Sequence, residues 1–537
     1  MPTLTVKMED GEKQFTFLLG RSLRQLLEDV DVRLPTGCSG VGACGLCLVR
    51  IESGKVNSLE PIERIHLDDE QLAHGIRLAC QVMPEHDLRI AVLSPSTKSA
   101  WRFLDREKEP KTRRSLTFPV SKRPLKNNKN YGVAVDLGTT NISLSLVDLA
   151  NGQWMGGCHG RNPQTRFGSD VLSRTLRAVE SPEQAQTMSQ LAVEAIGEAL
   201  WRLAIREKID LRQVTLLALV GNTAMLALLS GKNFGLLLQP SHWMNPIDCL
   251  PDDSSDWTVT WGIHPQARIE VIPPLAGFVG SDLLAGVVTT NLTENGGGNL
   301  LVDFGTNSEI ALWDGSVLWA TSAAGGPAFE GSGMICGYPA EPGAIYRVNF
   351  RGGVFDYAVI GGGKPHGLCG SGIVDLIAGL VKSGQLNSMG KFAPTIPKDG
   401  FTVLTGEKNI VYCGADVDLF QRAKAAIGMG IQVLLDQAGM GYRDLRHLCV
   451  GGAFGYSLDI PNALAIGLLP AIQAERVRLC GNTALAGCEE ALLSARILEK
   501  IKAIGNQAKI INLSQCADFE SLYFENLFLR PMQDREQ

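Results

Sequence analysis

The spacing of apolar positions changes twice along the chain, and the changes divide it. Near the N-terminus, short alternating runs at residues 3–7 and 13–18 flank the polar turn "MEDGEK" and predict two strands. "SLRQLLEDV" (22–30) has helical spacing and opens on Ser22, a good N-cap, which predicts a short amphipathic helix. "LCLVRIESG" reads as a strand, "DDEQLAHG" as a helix and "DLRIAVL" as a last strand ending near residue 93, so residues 1–93 are expected to form a small α+β unit. Residues 94–130 show no apolar period and hold 11 Lys or Arg, 3 acids and four prolines, the composition of a solvated basic tether. From residue 131 onward, Val/Ile/Leu strands alternate with Gly-rich turns and longer helices, the α/β pattern. The most apolar stretch, "VTLLALVGNTAMLALLSG" (214–231), is interrupted by "GNT" and is rich in β-branched residues at its start, which predicts a buried strand, turn and helix and no membrane span.

Two internal echoes split the larger part. "VAVDLGTTNISLSLVD" (133–148) returns as "LLVDFGTNSEIALWD" (300–314) with a one-residue slip after the turn, and "VGNTAM" (220–225) returns as "CGNTAL" (480–485). A duplicated domain over 131–537, with lobes at about 131–299 and 300–500 and a cleft between them, is the natural expectation. Its length agrees, because 537 residues exceed the roughly 250–300 that one core can organise.

Composition narrows the chemistry. A net charge of −6 with interspersed signs gives no case for nucleic acid or membrane binding. Residues 1–15 carry charge early and have no apolar h-region, so a cytoplasmic protein is expected. Thirteen cysteines without a secretory signal argue for reduced thiols; nine of them are scattered, most in apolar or Gly-rich settings, and read as small buried hydrophobes. The other four, Cys38, Cys44, Cys47 and Cys80, follow C-x5-C-x2-C-x32-C. Three thiolates on one loop and a distant fourth differ from the two close pairs usual in a zinc knuckle. The loop "GCSGVGACGLC" also has four glycines, which let backbone amides wrap inorganic sulfide; zinc or unliganded thiols need no such nest. The spacing and the surrounding order of elements resemble adrenodoxin-like [2Fe–2S] ferredoxins, whose β-grasp domain moves one electron.

"VDLGTT" and "VDFGTN" each put an Asp at a strand end, a Gly two residues on, and hydroxyl or amide side chains in a hairpin turn. Such turns offer N–H groups to phosphate, with carboxylates placed to hold hydrated Mg2+. They resemble the phosphate loops of the acetate kinase/sugar kinase/Hsp70/actin (ASKHA) superfamily. That resemblance implies ATP contacts from Asp136, Gly138, Thr139, Thr140, Asp303, Gly305, Thr306 and Asn307. It also implies ribose and adenine contacts from Gly451, Gly452 and Gly455 in "HLCVGGAFG", and an adenosine-side position for Lys424. Glu330 and Asp282, each in a Gly-bounded turn, are the acids expected to position the attacking water. Asp170 and Arg174, at i,i+4, read as a helix-surface pair.

A ferredoxin unit joined to an ASKHA domain, together with "RNPQTRFGSDVLSR", "SAAGGPAFEG", "GLCGSGIVDLIAGL" and "RAKAAIGMGIQVLL", closely resembles the reductive activators of corrinoid proteins. The resemblance implies ATP-driven return of a cobalt(II) corrinoid to the cobalt(I) state needed for methyl transfer. It implies a corrinoid protein as partner, an external reductant such as a ferredoxin or flavin reductase, and room for a homodimer. Ser322, read as opening a small-residue loop, is a candidate corrinoid contact. Some members carry an extra domain between tether and ATPase, and the short run from tether to "YGVAVDLGTT" predicts its absence here. Two other readings are an activator of a 2-hydroxyacyl-CoA dehydratase, a related ATPase lacking this ferredoxin domain, and a nucleotide-dependent redox sensor that delivers no electron.

Overall fold

The computed structural model describes residues 1–8, 11–30, 32, 34, 42, 45, 47–93, 101–104, 130–294, 296–331, 333–351, 354–405 and 409–532. It divides into two compact units: Met1–Ala100 with Thr165–Ser169, and the remaining residues.

In the first unit the elements are β1 (Thr3–Met8), β2 (Gly11–Thr16), α1 (Leu23–Asp29), β3 (Leu48–Val56), α2 (Glu63–His66), α3 (Asp69–Ala73), β4 (Ile76–Leu78) and β5 (Pro84–Val92). They build a mixed sheet of order β2-β1-β5-β3-β4, with β1 parallel to β5. Ser22 does open α1: Gln25 N–H donates to its Oγ (3.4 Å) and its own N–H donates to Gln25 Oε1 (3.0 Å), a reciprocal cap. Leu23, Leu26 and Leu27 go down into a core with Leu4, Val6, Val49, Leu78 and Ile90.

One buried ion pair holds the end of this sheet. Glu63, fully buried, accepts from Arg77 Nε (2.8 Å) and Nη2 (2.7 Å), and also from the N–H groups of Glu60 and Leu78 (3.0 Å each). Burial works against its charge, but these donors win and hold the carboxyl below its ordinary range. Glu63→Gln leaves the Arg77 charge without its counter-ion and is expected to destabilise the unit by about 3–5 kcal/mol. Denaturant unfolding of the variant checks this; an unchanged midpoint would contradict it.

The second unit opens with β6 (Arg102–Phe103), β7 (Tyr131–Leu137), β8 (Asn141–Asp148), β9 (Trp154–Arg161), α4 (Val171–Glu180), α5 (Pro182–Glu207), β10 (Val214–Gly221), α6 (Thr223–Ser230), α7 (Ser255–Trp261), β11 (Arg268–Val271) and α8 (Ser281–Thr289). It continues with β12 (Asn299–Phe304), β13 (Ser308–Trp313), β14 (Leu318–Ala323), β15 (Ala344–Arg351), β16 (Val354–Val359), β17 (Gly367–Leu368), α9 (Gly370–Lys382), β18 (Phe401–Leu404), β19 (Ile410–Tyr412) and α10 (Gly414–Ala438). The last elements are β20 (His447–Gly452), α11 (Ile460–Ala465), β21 (Val477–Gly481), α12 (Thr483–Leu493), α13 (Ala495–Gln507), β22 (Lys509–Ile510) and α14 (Phe519–Glu525).

Two six-stranded sheets, β11-β10-β7-β8-β9-β6 and β21-β20-β12-β13-β14-β22, repeat one plan, as the two echoes predict. "VTLLALV" and "AMLALL" form β10 and α6, with Asn222 capping the helix. Residues 101–104 depart from the expected tether: β6 pairs with β9, and Trp101 is buried against Gly160, so an aromatic anchor turns part of a basic segment into a sheet edge. The rest of 94–129 lies outside the described residues.

Helices α8 and α12 share a core with both sheets, from Ala134 and Ala218 on one side to Leu301 and Ala311 on the other. Glycines permit their contact: a Cβ on Gly487 would stand 2.1 Å from Ala285 O. Because α12 packs on β7 and β10 although it follows the second echo, residues distant in sequence converge at the end of both sheets.

Candidate functional site

The two Asp turns meet there. Gly138 N–H donates to Asn141 O (3.0 Å) and closes the first turn so tightly that a Cβ on Gly138 would lie 2.7 Å from that oxygen. Asp136 and Asp303 occupy matching places, opposite Val220 of β10 and Gly451 of β20. The second "GNT" segment then ties the halves together. Asn482, which caps α12 through Leu485 N–H (2.7 Å), donates to Asp136 Oδ2 (2.7 Å) and Ser143 Oγ (3.4 Å). Thr483 Oγ1 donates to Asp303 Oδ2 (2.6 Å). The first segment does the converse: Asn222 caps α6 and reaches Glu309 Oε1 in the other half (3.4 Å).

Four carboxyls therefore gather at this junction: Asp136, Asp282, Asp303 and Glu309. Burial, followed by the neighbouring negative charges, pushes Asp136 and Asp303 up to about 7, against the pull of Asn482 and Thr483. Burial, followed by the charge of Asp282, raises Glu309 well above the ordinary carboxyl range, and burial also raises Asp282. Acids gathered so closely fit a cation. Among the described residues no three His, Cys, Asp or Glu side chains are placed to hold a metal ion together. A hydrated Mg2+ suits such a site, since it keeps several waters and takes only one or two carboxylates.

Between pH 3.8 and about 7 the nucleotide-free fold binds more protons at Asp136 and Asp303 than the unfolded chain, so their contribution to stability falls as pH rises through that window. If Mg-nucleotide binds against these carboxylates, it displaces those protons. Its apparent affinity is expected to rise with pH up to about 7 and then level off, with proton release measurable by calorimetry in buffers of different ionisation enthalpy. Equal affinity at about pH 6 and about pH 8 would contradict this.

Above the acids the two turns touch. Thr140 Oγ1 and Thr306 Oγ1 are 2.6 Å apart, and Glu330 Oε1 accepts from Thr306 N–H and Oγ1 (both 3.1 Å). Glu330 Oε2 is buried with no hydrogen-bond partner, and burial raises its carboxyl against the bonds from Thr140 and Thr306. Arg161 and Arg174 both interact electrostatically with Glu330 or with each other. Here the sequence expectation is corrected: Asp170 caps α4 through Ser173 N–H (2.8 Å), while Arg174 is wholly buried, with Nη1 3.1 Å from Met225 Sδ. A side chain four residues from a cap points into the core when its helix packs on that face.

The remaining expected residues fall out differently. Gly451 and Gly452 stand against Asp303: a Cβ on Gly452 would be 2.4 Å from Asp303 Oδ1 and 2.1 Å from Phe304 O. Their lack of side chain thus makes room for the carboxylate. Thr139 is buried and Asn307 half-exposed in their turns, and Gly455, in left-handed conformation, has open space where a Cβ would be. Lys424 is buried in α10 and donates to Asn526 O (2.6 Å), where burial and Arg530 bring it down to about 7. It ties down the C-terminal segment. Ser322 is not in a loop; it lies in β14 directly opposite Glu309, in the same cross-strand row as Asp303. Strand pairing runs longer than the small-residue composition suggests. Glu309 was missed, and its signal was an acid inside the apolar alternation of the second echo.

In the first unit, Cys47 and Cys80 are buried and not in disulfides. Gln81 Nε2 donates to Cys80 Sγ (3.4 Å), a bond that suits a ligating thiolate. Gly42 and Gly45 hold positive φ (89° and 66°), and a Cβ on Gly45 would be 2.8 Å from the His66 ring. Cys38 and Cys44 lie outside the described residues. What is present fits an iron–sulfur loop.

Three family models match the chain. Residues 7–85 match the 2Fe-2S iron-sulfur cluster binding domain, 131–295 the RACo middle region, and 298–536 the C-terminal domain of RACo, the ASKHA domain. The middle-region match covers the half that carries the first Asp turn and the first of the two repeated sheets. A corrinoid activation enzyme of Eubacterium limosum, RamQ, is 33% identical over 420 residues, 74% of this chain and 70% of that protein. A [Co(II) methylated amine-specific corrinoid protein] reductase of Methanosarcina barkeri is 27% identical over 428 residues, covering 74% and 76%. The solved structure of a reductive activator for a corrinoid, iron-sulfur protein aligns with a TM-score of 0.67 at 26% identity over 98% of both chains. No described helix is long and apolar enough to cross a membrane.

Proposed function

The chain belongs to the family of corrinoid reductive activators, and on that premise we propose how its residues divide the work. It is an ATP-dependent enzyme that reduces a corrinoid protein from cobalt(II) to cobalt(I). When bound, the [2Fe–2S] cluster supplies the single electron, held by Cys38, Cys44, Cys47 and Cys80. Mg2+, when bound beside Asp136 and Asp303, offsets phosphate charge.

The observation that carries the nucleotide assignment is the cross-tie at the end of both sheets. Asn482 holds Asp136, Thr483 holds Asp303, and the Thr140–Thr306 contact closes the turns on each other. Phosphates entering between the turns would replace that hydroxyl contact with N–H and hydroxyl donors from Gly138, Thr139, Thr140, Gly305, Thr306 and Asn307. Glu330, with one oxygen fixed by Thr306 and the other unpartnered, is placed to accept a proton from the attacking water; Asp282 is engaged with Glu309 and serves the cation side. Arg161 and Arg174 supply positive charge near Glu330. Opening and closing of these turns gives ATP the differential affinity it needs to move the protein between states.

Such coupling is required because plant-type clusters lie near roughly −400 mV and every 59 mV uphill costs about tenfold in a one-electron equilibrium. An external ferredoxin or flavin reductase refills the cluster. The test is anaerobic: reduced full-length protein, a cobalt(II) corrinoid protein and MgATP are mixed, and cobalt(I) absorption is followed. It should grow with ATP and stay near background with ADP. Equal rates with ATP, with ADP and without nucleotide would refute the ATP coupling, and no cobalt(I) under any of the three conditions would favour a redox sensor that delivers no electron.

A further inference from the structure

Cys449 and Cys480 lie on adjacent parallel strands, β20 and β21, whose register slips so that Gly451 faces Gly481 and Cys480 is left as the extra residue. Such a bulge re-aims its side chain. Both cysteines join the same apolar cluster, Cys449 buried and Cys480 half-exposed, and their thiols share a hydrogen bond. The Arg478 guanidinium bonds both sulfurs, with Nη2 3.4 Å from Cys449 Sγ. The Cys480 thiol also donates to Arg478 O (3.5 Å), as the thiols of Cys158, Cys249 and Cys488 donate to backbone carbonyls; Cys336 and Cys413 face the Asp416 carboxylate, whose charge opposes thiolate formation.

This dithiol sits on the nucleotide site. Cys480 precedes Gly481, Asn482 and Thr483, the segment that holds Asp136 and Asp303; Gly451, two residues beyond Cys449, lies against Asp303 and Thr483. We propose that Cys449 and Cys480 are a reversible oxidation site for low-molecular-weight disulfides, and that bridging them disables nucleotide binding. The second half rests on the nucleotide reading of Asp136 and Asp303. Cys480, half-exposed beside Arg478, attacks as thiolate: Cys480–S⁻ + RSSR gives Cys480–S–SR + RS⁻. Cys449 then displaces the second RS⁻ and its thiol proton goes to solvent, so two thiols are oxidised as one RSSR is reduced to two thiols. Pulling β20 and β21 together moves Asn482 and Thr483 off their carboxylates, which would stop ATP binding while oxidant is present.

Full-length, cluster-loaded protein is treated anaerobically with oxidised glutathione, blocked with iodoacetamide and mapped by mass spectrometry, and MgATP binding is measured in parallel. The expected result is a Cys449–Cys480 linked peptide and a Kd raised about tenfold or more, both reversed by dithiothreitol. Cys480→Ser should show neither effect, and Cys449→Ser should stop at a mixed disulfide on Cys480. Alkylation of both cysteines after treatment, or a linked peptide with unchanged Kd, overturns the proposal. Reduced protein that fails to bind MgATP overturns the nucleotide reading instead, and is recognised because the peptide map still shows the bridge.

Discussion

Asp303→Asn is expected to lower ATP turnover by about 10²- to 10³-fold, the usual cost of removing one preorganised charge from a phosphoryl-transfer site, and at the same time to make the nucleotide-free protein more stable. The two effects share one cause. Asp303 sits among Asp136, Asp282 and Glu309, and burial with the charge of Asp282 pushes it up to about 7. Above that pH the empty fold carries a charge it would rather lose. Asparagine keeps the shape and still accepts from Thr483 Oγ1, so the packing of α12 survives. The gain should therefore be largest as a higher Tm at about pH 8, shrink as pH falls from about 7, and vanish only below about pH 3.8, where the carboxyl is neutral in both the folded and the unfolded chain. Added MgATP should raise the Tm of the wild type and leave the variant nearly unmoved. A variant that loses stability at about pH 8, or retains turnover, would remove Asp303 from the cation site.

That trade between stability and function explains which parts of the site could be read in the chain. Turns are local, so Asp136-Leu137-Gly138 and Asp303-Phe304-Gly305 announce themselves by spacing, and the "GNT" segments by their repeat; the structure adds that Asn222 and Asn482 in them cap α6 and α12. What the caps do with their second hydrogen bond is not local. Asn482 is 346 positions from Asp136, and only the packing of α12 on the first sheet brings them together. Arg174 illustrates the same point: i,i+4 spacing describes the helix surface, while burial depends on what lies against it. Gly452 was legible as a glycine with a purpose, but its purpose was set by a carboxylate on the neighbouring strand. Trp101 was hidden because its charged surroundings mask a single anchoring ring.

Cys80→Ser should abolish corrinoid reduction and leave nucleotide binding within about twofold of wild type, an effect below about 0.5 kcal/mol. The cluster needs four thiolates, and a serine hydroxyl in this buried turn after β4 is a poor replacement for one of them. Anaerobically purified variant should lose its visible iron–sulfur absorption and most of its iron. Cys80 lies in a unit with its own sheet and its own core around Leu23, Leu78 and Ile90, whereas the acids and turns proposed to hold nucleotide are built within the second unit. Nothing in the variant disturbs the Asn482 and Thr483 ties, so its Kd for MgATP and the pH dependence of that Kd should match the wild type. Electron supply and nucleotide gating would then be separated in one chain, with the second intact and the first gone. If a colourless Cys80→Ser protein still produced cobalt(I) at the wild-type rate, the electron would be travelling by a route that bypasses the cysteine loop, and the ferredoxin unit would have to be read as a docking module.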